Sequence, residues 1–150
     1  MAQSFVALYM HIVFSTKDRE SYVQSNMADR LYGNIGGILR NKSQTLLAAG
    51  GIADHVHLLV SIDKVVAVSD LIRDIKANSS RWMHQTFPNW TGFAWQRGYS
   101  VFSVSQSKVN DVKRYIQNQK EHHLGRTFQE ECREFWKRHS IRFDERYCWD

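Results

Sequence analysis

Gly51-Ile-Ala-Asp-His55-Val-His57-Leu-Leu-Val-Ser-Ile62 is the stretch on which the reading of this chain depends. From His55 onward the residues alternate as a β-strand does, with successive side chains on opposite faces. Val56, Leu58, Val60 and Ile62 form an aliphatic face that belongs on a core, while His55, His57, Leu59 and Ser61 share the other. Two imidazoles therefore stand side by side on rigid backbone, which suits a metal-binding pair. Spacing alone leaves another reading open, because stacked surface or interface histidines give the same pattern.

Upstream, residues 4–15 (SFVALYMHIVFS) alternate cleanly and predict a long first strand. Its Val6, Leu8, Met10, Ile12 and Phe14 share one face, and His11 lies on the other with Tyr9, near the histidine pair. Thr16 to Glu20 reads as a polar turn. Val23, Met27 and Leu31, then Tyr32, Ile35 and Leu39, recur at helical spacing. Gly33, Gly36 and Gly37 weaken that helix by roughly 1 kcal/mol each if interior, or allow it to pack closely on a sheet. Thr45 to Ala49 predicts a short second strand, with Gly50-Gly51 as the turn of a hairpin leading into the histidine strand.

Downstream, Ser69 suits the N-cap of a helix running to about Phe87, ended by Pro88. Ile72, Ile75, Ser79 and Trp82 form its inner stripe; Arg73, Lys76, Ser80 and Arg81 lie on its other side, either solvated or against nucleic acid. Residues 93–103, aromatic and β-branched, predict a strand with a bulge at Gly98. Ser107 caps a third helix, Lys108 to about His123, and Thr127 with Glu130 forms a capping box for a helix near 128–139. The order β-α-β-β-α-β is ferredoxin-like or RRM-like: an α+β fold whose antiparallel sheet carries two helices on one face and leaves the other open. Residues 1–150 read as one domain, with a core at about 4–123 and a helical tail at about 124–150.

Hydrophobic content of 43% with 13% aromatics argues against disorder. A net charge of +5 favours an anionic partner, nucleic acid first. The apolar runs are too short to cross a bilayer, and no signal peptide is visible. Cys132 and Cys148 lack CxxC spacing and fit a reduced, cytoplasmic protein. No GxxxxGK[ST] loop, hydrolase elbow or paired-carboxylate motif is present.

On the third helix Tyr115 and Gln119 are four residues apart and share a face. A phenol is an available but poor nucleophile unless a cation polarises its target, and the Gln119 carbonyl can complete such a cation site. Taken alone, Tyr115 is better read as an ordinary half-buried aromatic. His122 and His123 end the helix, where a cationic side chain complements the dipole. None of His11, His84, His122, His123 and His139 is assigned as a ligand.

Taken in order, HIVFSTKDR, DHVHLLVSI, DLIRDIKANSSRW, FAWQRGYSVFSVS and DVKRYIQNQKEHH resemble the single-tyrosine HUH transposases. These are small insertion-sequence enzymes with relatives associated with repetitive extragenic palindromes. The family's histidine-hydrophobic-histidine motif falls on His55, Val56 and His57, its nucleophile on Tyr115 and its third metal ligand on Gln119. The resemblance implies a metal-dependent endonuclease and strand transferase acting on single-stranded DNA, often beside a hairpin. It implies a covalent 5′-phosphotyrosine intermediate, and a homodimer in which one subunit's tyrosine helix completes the other's site. Either Mg2+ or Mn2+ is expected to serve, manganese binding better because magnesium prefers all-oxygen shells. Arg97 is a candidate phosphate contact beside Arg73, Lys76 and Arg81, and Tyr99, Trp95 and Phe102 are candidate stacking platforms, with core packing the competing reading for the last two. Two alternatives stand: a related replication initiator or relaxase-like nicking enzyme, and a non-catalytic nucleic-acid-binding domain using an open sheet face.

Overall fold

The alternation in the histidine strand governs how the layers stack. A computed structural model of the protein describes residues 2–150. Its sheet holds β1 (Leu8–Ser15), β2 (Thr45–Ile52), β3 (His55–Ile62) and β4 (Ser100–Val104) in the order β2-β3-β1-β4. Every pairing is antiparallel, as in the ferredoxin-like arrangement. Val56, Leu58 and Val60 meet Met10, Ile12 and Phe14 on one face, beneath α1 (Ser25–Asn41) and α2 (Val68–Thr86). Met27, Leu31, Ile35 and Leu39 from α1, with Leu71, Ile72, Ile75 and Met83 from α2, close this core. Each such side chain, fully buried, stabilises the fold by roughly 1.5–3 kcal/mol. Helix α1 packs on β2 at Gly36, where an added Cβ would make ordinary contact with the Leu46 side chain at 3.6 Å, so this approach does not require a glycine.

The other face is not open. Three C-terminal helices cover it: α3 (Val109–Gln117), α4 (Gln119–His122) and α5 (Phe128–Arg138). Leu59 packs against Val109 and Ile116, while Val13 and Phe102 pack against Phe128, Cys132 and Trp136. Two amphipathic stripes with no other partner meet a sheet face too apolar to remain wet, so the tail docks. Both cysteines are free; Cys132 is buried in this second layer.

Several local expectations change for tertiary reasons. The first strand begins at Leu8, which pairs with the last residue of β3, so residues upstream have no strand to bond; Phe5 and Val6 are exposed. Gly50 and Gly51 lie within β2, and the turn falls at Ala53-Asp54. Gly50 is needed because α3 crosses it: a Cβ there would lie 2.2 Å from the Ile116 carbonyl oxygen. Helix α2 starts at Val68 with Ala67 as its uncapped N-cap, and Ser69 lies in the first turn.

Only Ser100–Val104 of the aromatic segment is strand. Before it, the Lys76 ammonium donates to the carbonyls of Gln96 (2.8 Å), Arg97 (3.2 Å) and Gly98 (2.6 Å), curling the chain around the lysine. The third helix is preceded by a single turn at Gln106–Lys108 that contains Ser107, and it breaks at Asn118 (φ −103°, ψ 28°). Thr127 does cap α5, its hydroxyl accepting the Glu130 N–H at 3.1 Å. Among the described residues no helix is long and apolar enough to cross a membrane.

Candidate active site

Strand register brings the first residues together. His55 and His57 point to the second face, fully buried beneath α4 and α5. Each of three imidazoles is held by its Nδ1. His55 Nδ1 donates to the Asp54 carboxylate at 2.7 Å; His57 Nδ1 shares a proton with His11 Nε2 at 2.8 Å; His123 Nδ1 donates to the Arg126 carbonyl at 2.6 Å. The Nε2 atoms are thereby turned inward. Gln119 Oε1 lies 3.1 Å from Nε2 of both His55 and His123. Glu131 Oε1 lies 2.9 Å from His57 Nε2, 3.1 Å from His123 Nε2 and 3.5 Å from His55 Nε2.

The inward-facing ligand atoms of His55, His57, His123 and Glu131 all fall within 4.8 Å of one another. Anchored Nδ1 atoms with converging Nε2 atoms are how proteins orient imidazole ligands. The donor set, three imidazoles with a carboxylate and an amide oxygen, fits a divalent cation with an affinity for nitrogen.

The same packing sets the charges. Burial alone lowers His55, but hydrogen bonds to Asp54 and Glu131 overcome it and raise the group to about 9. His57 falls to about 4, because burial outweighs its hydrogen bond to Glu131. His11, buried and beside His57, falls to about 3. Burial would raise the Glu131 carboxyl, yet hydrogen bonds from His123, His55 and His57 hold it well below the usual carboxylate range.

Tyr115 reaches the cluster from α3. Its hydroxyl donates to Glu131 Oε2 and accepts from Arg126 Nη2 at 3.0 Å, while His122 stacks on its ring at 4.4 Å. Burial, reinforced by the Glu131 hydrogen bond, pushes the phenol above its ordinary value. Glu131 therefore divides its oxygens, Oε1 to the imidazoles and Oε2 to the phenol.

His55, His57, Tyr115 and Gln119 thus come together as the sequence suggests, although Asn118 separates the last two into different helices. His123, Glu131 and Arg126 were not anticipated. A legible signal existed for Glu131: it lies three residues after Phe128, on the apolar stripe shared with Cys132 and Phe135, where an unpaired carboxylate is costly. The basic candidates lie elsewhere. Arg73, Lys76, Arg97 and Tyr99 line a separate groove of about 410 Å³ beside α2, which Arg81 does not line. Trp95 and Phe102 are core residues.

The chain belongs to the IS200-like transposase family, whose pattern matches residues 4–119. It is 26% identical over 117 residues to the ISDra2 transposase TnpA of Deinococcus radiodurans, covering 75% of this chain and 84% of that one. It is 30% identical over 122 residues to the transposase for insertion sequence element IS200 of Salmonella typhimurium, covering 74% and 76%. Among solved structures, a Deinococcus radiodurans protein superposes with a TM-score of 0.63 at 28% identity, over 79% of this chain and 96% of that one. The REP-associated tyrosine transposase bound to a REP hairpin shares the fold, with a TM-score of 0.61 at 14% identity over 83% and 73%.

Proposed function

We propose that the protein is a metal-dependent endonuclease and strand transferase for single-stranded DNA, with Tyr115 as its nucleophile. One observation carries the reading: the Tyr115 hydroxyl donates to the carboxylate that also meets the converged imidazoles. His55, His57 and Gln119 would hold the cation, joined by His123 and Glu131. So nitrogen-rich a set favours Mn2+ over Mg2+. When bound, such a cation offsets charge gathering on a non-bridging phosphate oxygen.

The chain's own residues supply the rest. Tyr115 Oη bonds to phosphorus as the P–O3′ bond breaks; Glu131 Oε2 orients the hydroxyl, whose proton is lost to solvent, and the departing 3′ oxygen takes a proton from solvent. The 5′-phosphotyrosine so formed keeps the bond energy for rejoining, when a 3′-OH attacks and the phenol is released. Residues 124–150 are then part of the active site rather than an appendage of the 4–123 core, and we read 1–150 as one transposase domain.

DNA is the partner suggested by the net charge of +5 and by the hairpin-bound relative, so a hairpin beside the cleaved strand is included in the proposal. Arg73, Lys76, Arg81, Arg97 and Tyr99 are proposed to touch that DNA. Lys76 is the weakest of these, because its ammonium already serves three carbonyls. The resemblance also implies a homodimer with exchanged tyrosine helices; one chain already carries Tyr115 to its own histidines, which supports a site assembled within each copy. A cytoplasmic location accords with access to genomic DNA. Replication initiators and relaxase-like enzymes share the chemistry, but the family match favours transposition. A domain binding nucleic acid on an open sheet face is disfavoured because α3 to α5 cover that face.

The test is to incubate the protein with manganese or magnesium and labelled single strands from its genomic flanks. A denaturation-resistant protein–DNA adduct is expected from the natural sequence and not from Tyr115→Phe. An adduct that persists in Tyr115→Phe overturns the nucleophile assignment.

A further inference from the structure

We propose that Arg126 is a catalytic residue that grips the scissile phosphate at the Tyr115 oxygen. It sits in the short loop between α4 and α5. Its Nη2 donates to the phenolic oxygen at 3.0 Å and lies 3.5 Å from Glu131 Oε2, while Nη1 is bonded to Glu134. Its Nε–H is buried and finds no acceptor among the described residues. Nε and Nη2 form one edge of the guanidinium, the edge that takes two phosphate oxygens side by side. Here one end of that edge is at the nucleophile and the other is spare.

A loop staple explains only part of this geometry. The bond to Glu134 through Nη1 would hold the loop and needs nothing at Nε. A buried N–H left without an acceptor is costly and calls for an explanation. The surroundings supply one. A cavity of about 250 Å³, of a size for a phosphate and sugar, is lined by Tyr115, His122, Arg126, Glu134, Phe135 and Arg138. None of the ligand cluster lines it, so it opens on the arginine side of the tyrosine. A phosphodiester entering there would place one oxygen on Nε–H and its phosphorus next to the phenolic oxygen. The guanidinium would then stabilise charge that grows on the phosphate oxygens as the new bond forms.

This inference rests on the phosphoryl-transfer reading above, and it is tested both within and apart from that reading. In the full-length, metal-free protein, inorganic phosphate is titrated while the arginine Nε–Hε resonances are followed by NMR. One resonance, missing from Arg126→Lys, is expected to shift saturably. With single-stranded DNA and manganese, Arg126→Ala is expected to slow adduct formation about 100-fold at saturating DNA. Arg126→Lys, which keeps charge but loses the fork, should recover only part of the rate. Absence of a saturable shift, or an Arg126→Ala rate equal to that of the natural sequence, overturns the proposal. A phosphate-induced shift in a protein that forms no adduct at all supports the anion site and instead overturns the nuclease reading.

Discussion

The Tyr115 hydroxyl donates to Oε2 of Glu131, sixteen residues further along the chain, while Oε1 of the same carboxylate meets His57 Nε2 at 2.9 Å. One side chain therefore joins the nucleophile to the candidate ligands, and its removal should affect both. Glu131→Gln keeps the shape but loses the charge. Mn2+ affinity, followed by electron paramagnetic resonance, is expected to fall by at least about tenfold, since losing even an outer-shell partner costs that much. The adduct rate should fall with it, because the phenol loses the charged carboxylate that orients it and links it to the ligands. Unchanged manganese binding in Glu131→Gln would remove this carboxylate from the ligand set.

Asp54 acts one step further out. It holds His55 through Nδ1 at 2.7 Å and so leaves Nε2 as the inward atom. Asp54→Asn can still accept from Nδ1 but no longer supplies charge. Manganese affinity should drop about 10–100-fold, while the metal-free protein stays folded and loses part of the stability that the raised His55 supplies. A large loss of stability without loss of metal affinity would make Asp54 a packing residue.

Legibility followed the range of the interactions. The histidine strand and α1 could be read locally because their faces repeat at the periods of strand and helix. The last aromatic segment could not, because Lys76, distant in sequence, bends it through three carbonyls. Ligand candidates split the same way. His55 and His57 announce themselves by adjacency, whereas His123 and Glu131 matter only once α5 docks over the sheet. Phe128, Glu131, Cys132 and Phe135 share a stripe, and a carboxylate on that stripe was the available hint.

Gly50 ties the fold to the site, since a Cβ there would lie 2.2 Å from the Ile116 carbonyl oxygen, one residue after Tyr115. The obstacle is backbone and cannot rotate away. Gly50→Ala should push α3 off β2 and destabilise the protein by about 1–3 kcal/mol, the usual cost of overpacking. Tyr115 would move with its helix, so adduct formation should fall further than the folded fraction does. Chemical denaturation beside the adduct assay separates the two effects.

Opposed histidine shifts predict a stability maximum near pH 6.5 for metal-free protein. His57 and His11 are held at about 4 and about 3, against an ordinary 6.5, so below 6.5 the unfolded chain takes up protons that the fold refuses. Stability is then lost as the pH falls from 6.5 toward 4. His55 is held at about 9, so above 6.5 the fold keeps a proton the unfolded chain releases, and stability is lost as the pH rises to 9. Thermal melts across this range should trace both limbs, and His55→Gln should flatten the alkaline one. A curve that climbs steadily to pH 9 contradicts the assignment.

The last prediction concerns which copy supplies the tyrosine. In one chain Tyr115 and His57 rings lie 5.8 Å apart, and the phenol shares Glu131 with the imidazoles. Exchange between subunits would have to break the Glu131 and Arg126 hydrogen bonds of Tyr115 and remake them with a partner's groups. Two defective proteins, Tyr115→Phe and the double variant His55→Ala/His57→Ala, distinguish the arrangements when mixed after partial denaturation and refolding. A site built within each copy leaves the mixture inactive, since every chain lacks either nucleophile or ligands. Exchanged helices would restore adduct formation in mixed dimers, to at most about one quarter of the natural level if subunits pair at random and one of the two sites in each mixed dimer is whole. The single-chain geometry predicts no recovery, and any adduct above the level of the separate variants would assign the tyrosine to the partner.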